Sequence, residues 1–314
     1  MAVYTQLSEV EIKKILDGYD LGSFISYKGI KDGIENTNYL IITNKKKLIL
    51  TIFENRVKNS NLPFFLKLMN HSKKFGVKCP EPLKDKSKNF INIINSKRYS
   101  IFTFLEGNSK KKWSGDACYK VGRALANFHK VNKNLKIKIK NDFSVSFWEK
   151  LFLIIKKKKT FNTDFIRNEL YYIKKKWPNK LPSGIIHADL FPDNVFFKKN
   201  DISGILDFYF SCFDFLIYDL AIVVNAWCFS SGVFQKNKYY KLISGYESIR
   251  KLKTSEIESF NIILRGASLR FFLTRAIDSS VNKKKNILVK KKDPEEFYKI
   301  LKFHKSKEND FKYQ

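Results

Sequence analysis

Segments that read as strands crowd into the first 105 residues, and segments that read as helices fill most of the remaining chain. That order excludes a repeating βαβ sheet and predicts an α+β chain of two lobes. Ser8 and Glu11 form a capping box, and Ile12, Ile15 and Leu16 continue at helical spacing until Gly18 stops the run. Three extended segments come next, at 24–28, 38–43 and 47–53, with turns near 29–33 and 44–46. Pro63 suits the first turn of a helix reaching about 75, with Phe65, Leu68 and Met69 on its apolar stripe. Strands near 90–94 and 98–105 complete an antiparallel sheet. Beyond Gly107 the texture changes. Helices are expected at 113–131, 146–157 and 164–176, then short strands over 184–210, then helices to the end. The junction at 105–108 divides the chain into 1–107 and 108–314.

The length of 314 residues allows each lobe its own core. Hydrophobic residues at 44% and charged residues at 29% place the chain among globular rather than disordered proteins. Cys79, Cys118, Cys212 and Cys228 form no CxxC pair and read as reduced thiols. The first residues carry acids where a secretory leader needs a basic start. The most apolar stretch, 208–234, is broken by Asp214, Asp219 and Asn225, so no membrane span is expected and the cytoplasm is the default location. The net charge of +30 would suit a nucleic-acid partner. Yet the lysines are dispersed and travel with abundant Asn, Ile and Phe, the set an AT-rich coding sequence favours. Drift of composition accounts for them, and nucleic acid is not the expected partner.

The chemistry is concentrated in GIIHADLFPDNVFFKKNDISGILDF, residues 184–208. His187-x-Asp189 is followed five positions later by Asn194, and Asp207 comes 13 residues after that, ending an apolar strand. Phosphoryl transfer to an alcohol needs a carboxylate beside the attacking hydroxyl and hard oxygen ligands for a divalent cation on the phosphates. A loop bearing Asp189 and a hairpin returning Asp207 toward Asn194 would deliver all three. Asp and Asn are also ordinary turn residues. An HxDxxxxN followed by a strand ending in Asp-Phe, in the second half of such a chain, is much rarer than a lone HxD.

This pattern resembles the aminoglycoside phosphotransferase and choline kinase superfamily, with its protein-kinase-like two-lobed fold. Within it the chain is most similar to the homoserine kinases of that type. The similarity rests on GIENTNYLI (33–41), LILTIFE (48–54), LPFFLKLM (62–69), HADLFPDNVFF (187–197), GILDFYFSC (204–212), YDLAIVVNAWC (218–228) and LRGASLRFFLTRAID (264–278). The resemblance implies ATP and Mg2+ as cofactors and L-homoserine as acceptor, the step that feeds threonine biosynthesis. It makes 1–107 a nucleotide-binding lobe and 108–314 a catalytic and substrate lobe. It implies Asp189 as catalytic base and Asn194 and Asp207 as magnesium ligands. His187 and Asp219 then read as loop-bracing residues, and Asp193 and Asp214 as turn residues.

Gly33, Asn36, Thr37 and Asn38 lie in and beside the turn whose backbone N–H groups could approach phosphate, although no GxGxxG or Walker sequence is present. The family architecture sets adenine against Phe104–Glu106, making Phe104 and Glu106 nucleotide contacts. One departure matters. The strand lysine of the general kinase pattern is replaced by Thr51, and the helix after it has no acid. Lys47, on the same strand face, is a candidate substitute. For the acceptor, Arg270 is the candidate for a carboxylate, with Asn225 and Trp227 lining the same pocket. Choline, ethanolamine or an aminoglycoside are alternative acceptors. A basic nucleic-acid-binding protein on a non-catalytic kinase fold is the alternative from another class.

Overall fold

A computed structural model describes residues 3–30, 36–54, 57–135, 139–157, 161–281 and 292–307. The chain forms two compact units. One comprises Met1–Asn108 together with Phe196–Lys199 and Ser203–Tyr209; the other comprises Ser109–Val195, Asn200–Ile202 and Phe210–Gln314. A single cut at 107/108 leaves those two hairpin pieces with the second part. The first unit takes them because Ile205 donates its N–H to the Lys78 carbonyl and Gly204 lies against Leu105, where a Cβ would sit 2.4 Å from Leu105 Cδ1.

In the first unit, helix α1 (Glu9–Asp17) starts at the capping box: Glu11 N–H donates to Ser8 Oγ, and the Glu11 carboxylate accepts from Ser8 N–H. Strands β1 (Phe24–Ile30), β2 (Thr37–Thr43) and β3 (Lys47–Ile52) form an antiparallel meander. Helix α2 (Leu62–Lys74) comes next, with Pro63 in its first turn. Strands β4 (Pro82–Leu83), β5 (Asn92–Ile94) and β6 (Lys97–Thr103) complete a sheet of order β1-β2-β3-β6-β4, with β5 paired to β6. The two-residue β4 has no strand signature in the sequence, because proline is depleted in strands. Alternation puts Tyr39 and Ile41 of β2 beside Leu48 and Leu50 of β3, and these pack with Ile12, Ile15, Leu16, Tyr99 and Ile101. Each such side chain contributes about 1.5–3 kcal/mol by burial.

The second unit is mainly helical. After the short β7 (Asn108–Ser109) come α3 (Gly115–Val131), α4 (Val145–Lys156) and α5 (Thr163–Lys176). Strand β8 (Ser183–Ile186) precedes the hairpin β9 (Val195–Lys198) and β10 (Asp201–Ile205), and β11 (Cys212–Phe215) pairs antiparallel with β8. Asp214 therefore stands in a strand, not in a turn. Burial pushes its carboxyl up, against the hydrogen bond donated by Asn141. Helices α6 (Leu216–Trp227), α7 (Lys236–Glu247), α8 (Thr254–Glu258), α9 (Phe260–Val281) and α10 (Pro294–Ser306) complete the unit.

Helices α3 and α7 cross at glycines. A Cβ on Gly122 would lie 2.1 Å from the Leu242 carbonyl oxygen, and one on Gly245 would lie 2.0 Å from that of Tyr119. Only glycine admits backbones this close. Helix α6 is buried on nearly all sides, so it serves as the internal post on which the neighbouring loop is hung. The four cysteines are free and buried. Among the described residues no helix is long and apolar enough to cross a membrane.

Candidate active site

Strand β8 delivers residues 187–190 in register: Ile186 faces Cys212 of β11, and the chain then leaves the sheet. His187, Ala188 and Leu190 are buried, whereas Asp189 between them is half-buried. Ala188 adopts φ +62°, a left-handed conformation that costs a non-glycine residue about 1–2 kcal/mol. Asp207 adopts φ +60°. The other described non-glycine residues at positive φ (Lys88, Asn95, Ser96, Lys199 and Ser231) are exposed, whereas Ala188 is buried and Asp207 half-buried. These two belong to the acid-bearing points of the motif, where stored strain is expected.

What holds the loop is polar and buried. Asp219, in the first turn of α6 and fully buried, accepts from the N–H groups of His187 (2.7 Å) and Ala188 (2.9 Å). His129 Nε2 reaches the same carboxylate at 3.0 Å, and its Nδ1 meets the Tyr246 hydroxyl at 2.9 Å. Tyr246 in turn accepts from Arg250, which makes two bonds to buried Glu256. Burial alone would raise the Asp219 carboxyl; the hydrogen bond and charge of His129, with the His187 contribution, outweigh it and hold the group below its ordinary value. The geometry is that of a brace. His187 Nδ1 faces the Asp189 N–H at 3.3 Å, a contact within the loop.

Asn194 ends a single 3₁₀ turn, Pro192–Asn194. Its Nδ2 donates to the Asp189 carbonyl (2.8 Å) and to Asp189 Oδ2 (3.1 Å). Asp189 and Asn194 are thus brought together, and with Nδ2 committed the Oδ1 of Asn194 is the face of the amide left to a ligand. Asp193 carries an ion pair with Lys292 at 2.8 Å. Asp207 comes just after β10, half-buried, and belongs to the first unit.

Of the nucleotide candidates, Gly33 lies outside the described residues. The Asn36 side chain accepts from Glu54 N–H at 3.3 Å. Thr37 Oγ1 accepts from the N–H groups of Tyr4 and Thr5 and donates to Glu54, which also pairs with Lys97. Asn38 Oδ1 accepts from Thr51 Oγ1 at 2.7 Å, across the β2–β3 register. These side chains stitch the sheet end, so backbone groups are what this segment has to offer a phosphate. Where the general kinase pattern has a lysine, this strand has a threonine closed onto its neighbour. Lys47 stands at the other end of β3, over the Phe104 ring at 5.8 Å, four residues and roughly 13 Å of strand from Thr51. Glu106 pairs with Lys198, which, with Lys47 adding a smaller share, holds its carboxyl below the ordinary range.

The helix acid of that pattern is likewise absent from α2. Phe65 of α2 and Phe53 after β3 both meet the ring of Tyr209, edge to face, at 5.7 and 5.6 Å. An aromatic trio links strand, helix and the segment just beyond Asp207.

The three acceptor candidates face inward. Trp227 is fully buried and donates Nε1–H to the Leu190 carbonyl at 2.9 Å. Asn225 donates to the Leu264 carbonyl and Ser268, and its Oδ1 meets His304 Nε2. Arg270, 3% exposed, donates Nη1–H to the Ala188 carbonyl at 2.8 Å. All three are buried, and the polar atoms named here are bonded within the fold. Sequence reasoning misses His129 and Tyr246 altogether, since nothing in their spacing ties them to residue 189.

The family model described as phosphotransferase enzyme family matches residues 26–252. The chain belongs to the phosphotransferase enzyme family. Similar curated proteins include the homoserine kinase of Rhizobium meliloti (strain 1021), 43% identical over 311 residues, covering 98% of this chain and 95% of that one. The homoserine kinase of Agrobacterium fabrum (strain C58 / ATCC 33970) is 42% identical and covers 100% and 98%. Among solved structures, an amicoumacin kinase in complex with AMP-PNP, Ca2+ and Ami superposes with TM-score 0.69 at 14% identity, covering 98% and 95%. A spectinomycin phosphotransferase in complex with ADP and spectinomycin does so with TM-score 0.69 at 12% identity, covering 95% of each. The fold is the protein-kinase-like one of this family, with an antiparallel sheet in one unit and helices in the other.

Proposed function

We infer that this protein is an ATP-dependent homoserine kinase, which moves the γ-phosphoryl group of ATP onto the side-chain hydroxyl of L-homoserine and yields O-phospho-L-homoserine for threonine biosynthesis. Near-full-length identity of 42–43% to homoserine kinases supports the acceptor. The structural observation that carries the reaction class is Asp189: a half-buried carboxylate on a strained loop, gripped by the amide of Asn194 at 3.1 Å.

In this reading Asp189 accepts the proton of the attacking hydroxyl and orients its oxygen for in-line displacement. Asn194 and Asp207 hold Mg2+ through hard oxygen atoms, the donor type that ion prefers, and the Asn194 amide orientation fits such a role. Magnesium supplies charge stabilisation on the phosphates. Backbone groups near Asn36, Thr37 and Asn38 receive phosphate, and Phe104 and Glu106, with Lys47 beside them, receive the base. The free, buried cysteines accord with a reducing cytoplasm, where we place the enzyme.

The test is ADP release across L-homoserine, L-serine, choline, ethanolamine and an aminoglycoside, each with and without Mg2+. Homoserine is expected to exceed the others in kcat/KM by at least about tenfold, a difference of roughly 1.4 kcal/mol, and only with the divalent ion. Preference for any other alcohol overturns the acceptor assignment, and equal rates without a divalent ion overturn the metal ligands.

A further inference from the structure

On the reading of Asp189 as the base, we propose that Arg270 is a positioning residue for the catalytic loop: it fixes the peptide plane between Ala188 and Asp189, and it does not read the acceptor's carboxylate.

Each backbone N–H from His187 to Asp189 has a partner. Those of His187 and Ala188 go to Asp219, and the N–H of Asp189 faces His187 Nδ1. The Asp189 carbonyl accepts from Asn194 Nδ2 and from Phe191 N–H. The Ala188 carbonyl accepts from Arg270 Nη1 at 2.8 Å. That oxygen and the Asp189 N–H are the two ends of one rigid peptide unit. Its orientation sets where the Asp189 side chain leaves the loop, and it adjoins the left-handed residue of the loop, Ala188.

The guanidinium is built for this contact and not for a passing solute. Helix α9 around it is apolar, with Leu269, Phe271, Phe272 and Leu273 buried. The guanidinium carbon stands 4.1 Å from the Phe271 ring centroid and 4.9 Å from that of Phe143, so both rings limit its motion. Its Nε is buried and meets no acceptor among the described residues. A buried cation with an unmatched N–H is a poor choice for stability alone, where a well-packed apolar side chain serves as well or better. Such local breaches concentrate at functional positions. What the arginine gains is a charged hydrogen bond to one chosen carbonyl beside the catalytic base.

The experiment compares Arg270→Met, Arg270→Lys, Asp189→Asn and the double variant Asp189→Asn/Arg270→Met under saturating and sub-saturating homoserine and ATP. Folding of each is checked by circular dichroism. Arg270→Met is expected to lower kcat by about 30–100-fold while both KM values stay within about threefold. Arg270→Lys, which keeps a donor and a charge but not the planar fork, should lose only about three- to tenfold in kcat. In the double variant the methionine should slow Asp189→Asn by less than about threefold, because its effect passes through that carboxylate. A tenfold rise in homoserine KM with kcat retained makes Arg270 an acceptor ligand and overturns the proposal. Losses that simply multiply in the double variant also overturn it. If Arg270→Met does not fold, Arg270→Lys decides: lowered kcat at unchanged KM supports the role, and wild-type kcat refutes it. Full activity in Asp189→Asn would instead refute the base assignment itself.

Discussion

The two units secure the acid-bearing points of the motif by opposite physical means. In the helical unit, loop 187–190 hangs from buried charges and amides: Asp219, braced by His129, together with Arg270 and Asn194. In the strand unit, where the general kinase pattern uses a lysine–glutamate ion pair, Thr51 of β3 is bonded to Asn38 of β2, and three aromatic rings join strand to helix. The difference teaches that a buried ion pair is one way to register a strand against a helix and not a requirement. Edge-on rings give directional contact without desolvating charge. A loop that must display one carboxylate in one direction has no such option. Its backbone donors and acceptors need polar partners wherever water is excluded.

The sharpest way to break the polar side of that comparison is Asp219→Asn. The carboxylate accepts from three donors at once, and an amide in its place offers an N–H to at least one of them. Removing one partner of a buried, hydrogen-bonded charge typically costs about 3–5 kcal/mol. Urea denaturation is expected to show a loss in that range, with turnover falling as well. The wild type should also carry the acid signature of a depressed carboxyl. Asp219 contributes stability above the unfolded-state value, about pH 4, and that contribution is lost as pH falls through its lower folded value. A variant as stable as wild type, with the same acid limb in its melting temperature, removes Asp219 as the anchor.

On the apolar side the decisive position is Tyr209, substituted to alanine and to phenylalanine. Two edge-to-face contacts at about 0.5–1.5 kcal/mol each, together with lost burial, put Tyr209→Ala at roughly 2–3 kcal/mol. Tyr209→Phe keeps both ring contacts and should cost clearly less than Tyr209→Ala. If phenylalanine proves as damaging as alanine, the hydroxyl carries the link, and the contrast between the units collapses.

These two braces also mark what is legible without a structure. The segment 187–207 is legible because its chemistry is contiguous: a loop, a turn and a hairpin whose spacing is fixed by local geometry. The sheet is legible from alternation, down to the pairing of the 38–43 and 47–53 segments. The Asp219 brace can be placed from its helix-start position, but its partners cannot. His129 and Tyr246 reach it through the packing of α3 and α7 on α6, set by the glycine crossing at Gly122 and Gly245. The contact of Arg270 with the loop is hidden from sequence for a related reason. Periodicity identifies a helix, yet α9 is buried around much of its circumference. An arginine on it then points at protein, where an ordinary amphipathic helix would point it at solvent. The partners of Asn225 and Trp227 are hidden on the same ground, since α6 has almost no outer face.

The smallest expected effect belongs to Lys47, and it tests whether the missing strand lysine has been replaced after all. Alternation puts residues 47 and 51 on one strand face, which makes Lys47 a candidate for gripping phosphate. The structure sets it at the far end of β3, exposed and over Phe104. An exposed cation–π contact is worth about 0.5–1 kcal/mol. Lys47→Ala is therefore expected to raise the KM for ATP by no more than about fivefold and to leave kcat within about twofold. Loss of kcat by about 100-fold, as expected from removing a charge on the transferring phosphates, would show that a cation does serve this strand. The apolar register of the strand unit would then be only half of how it works.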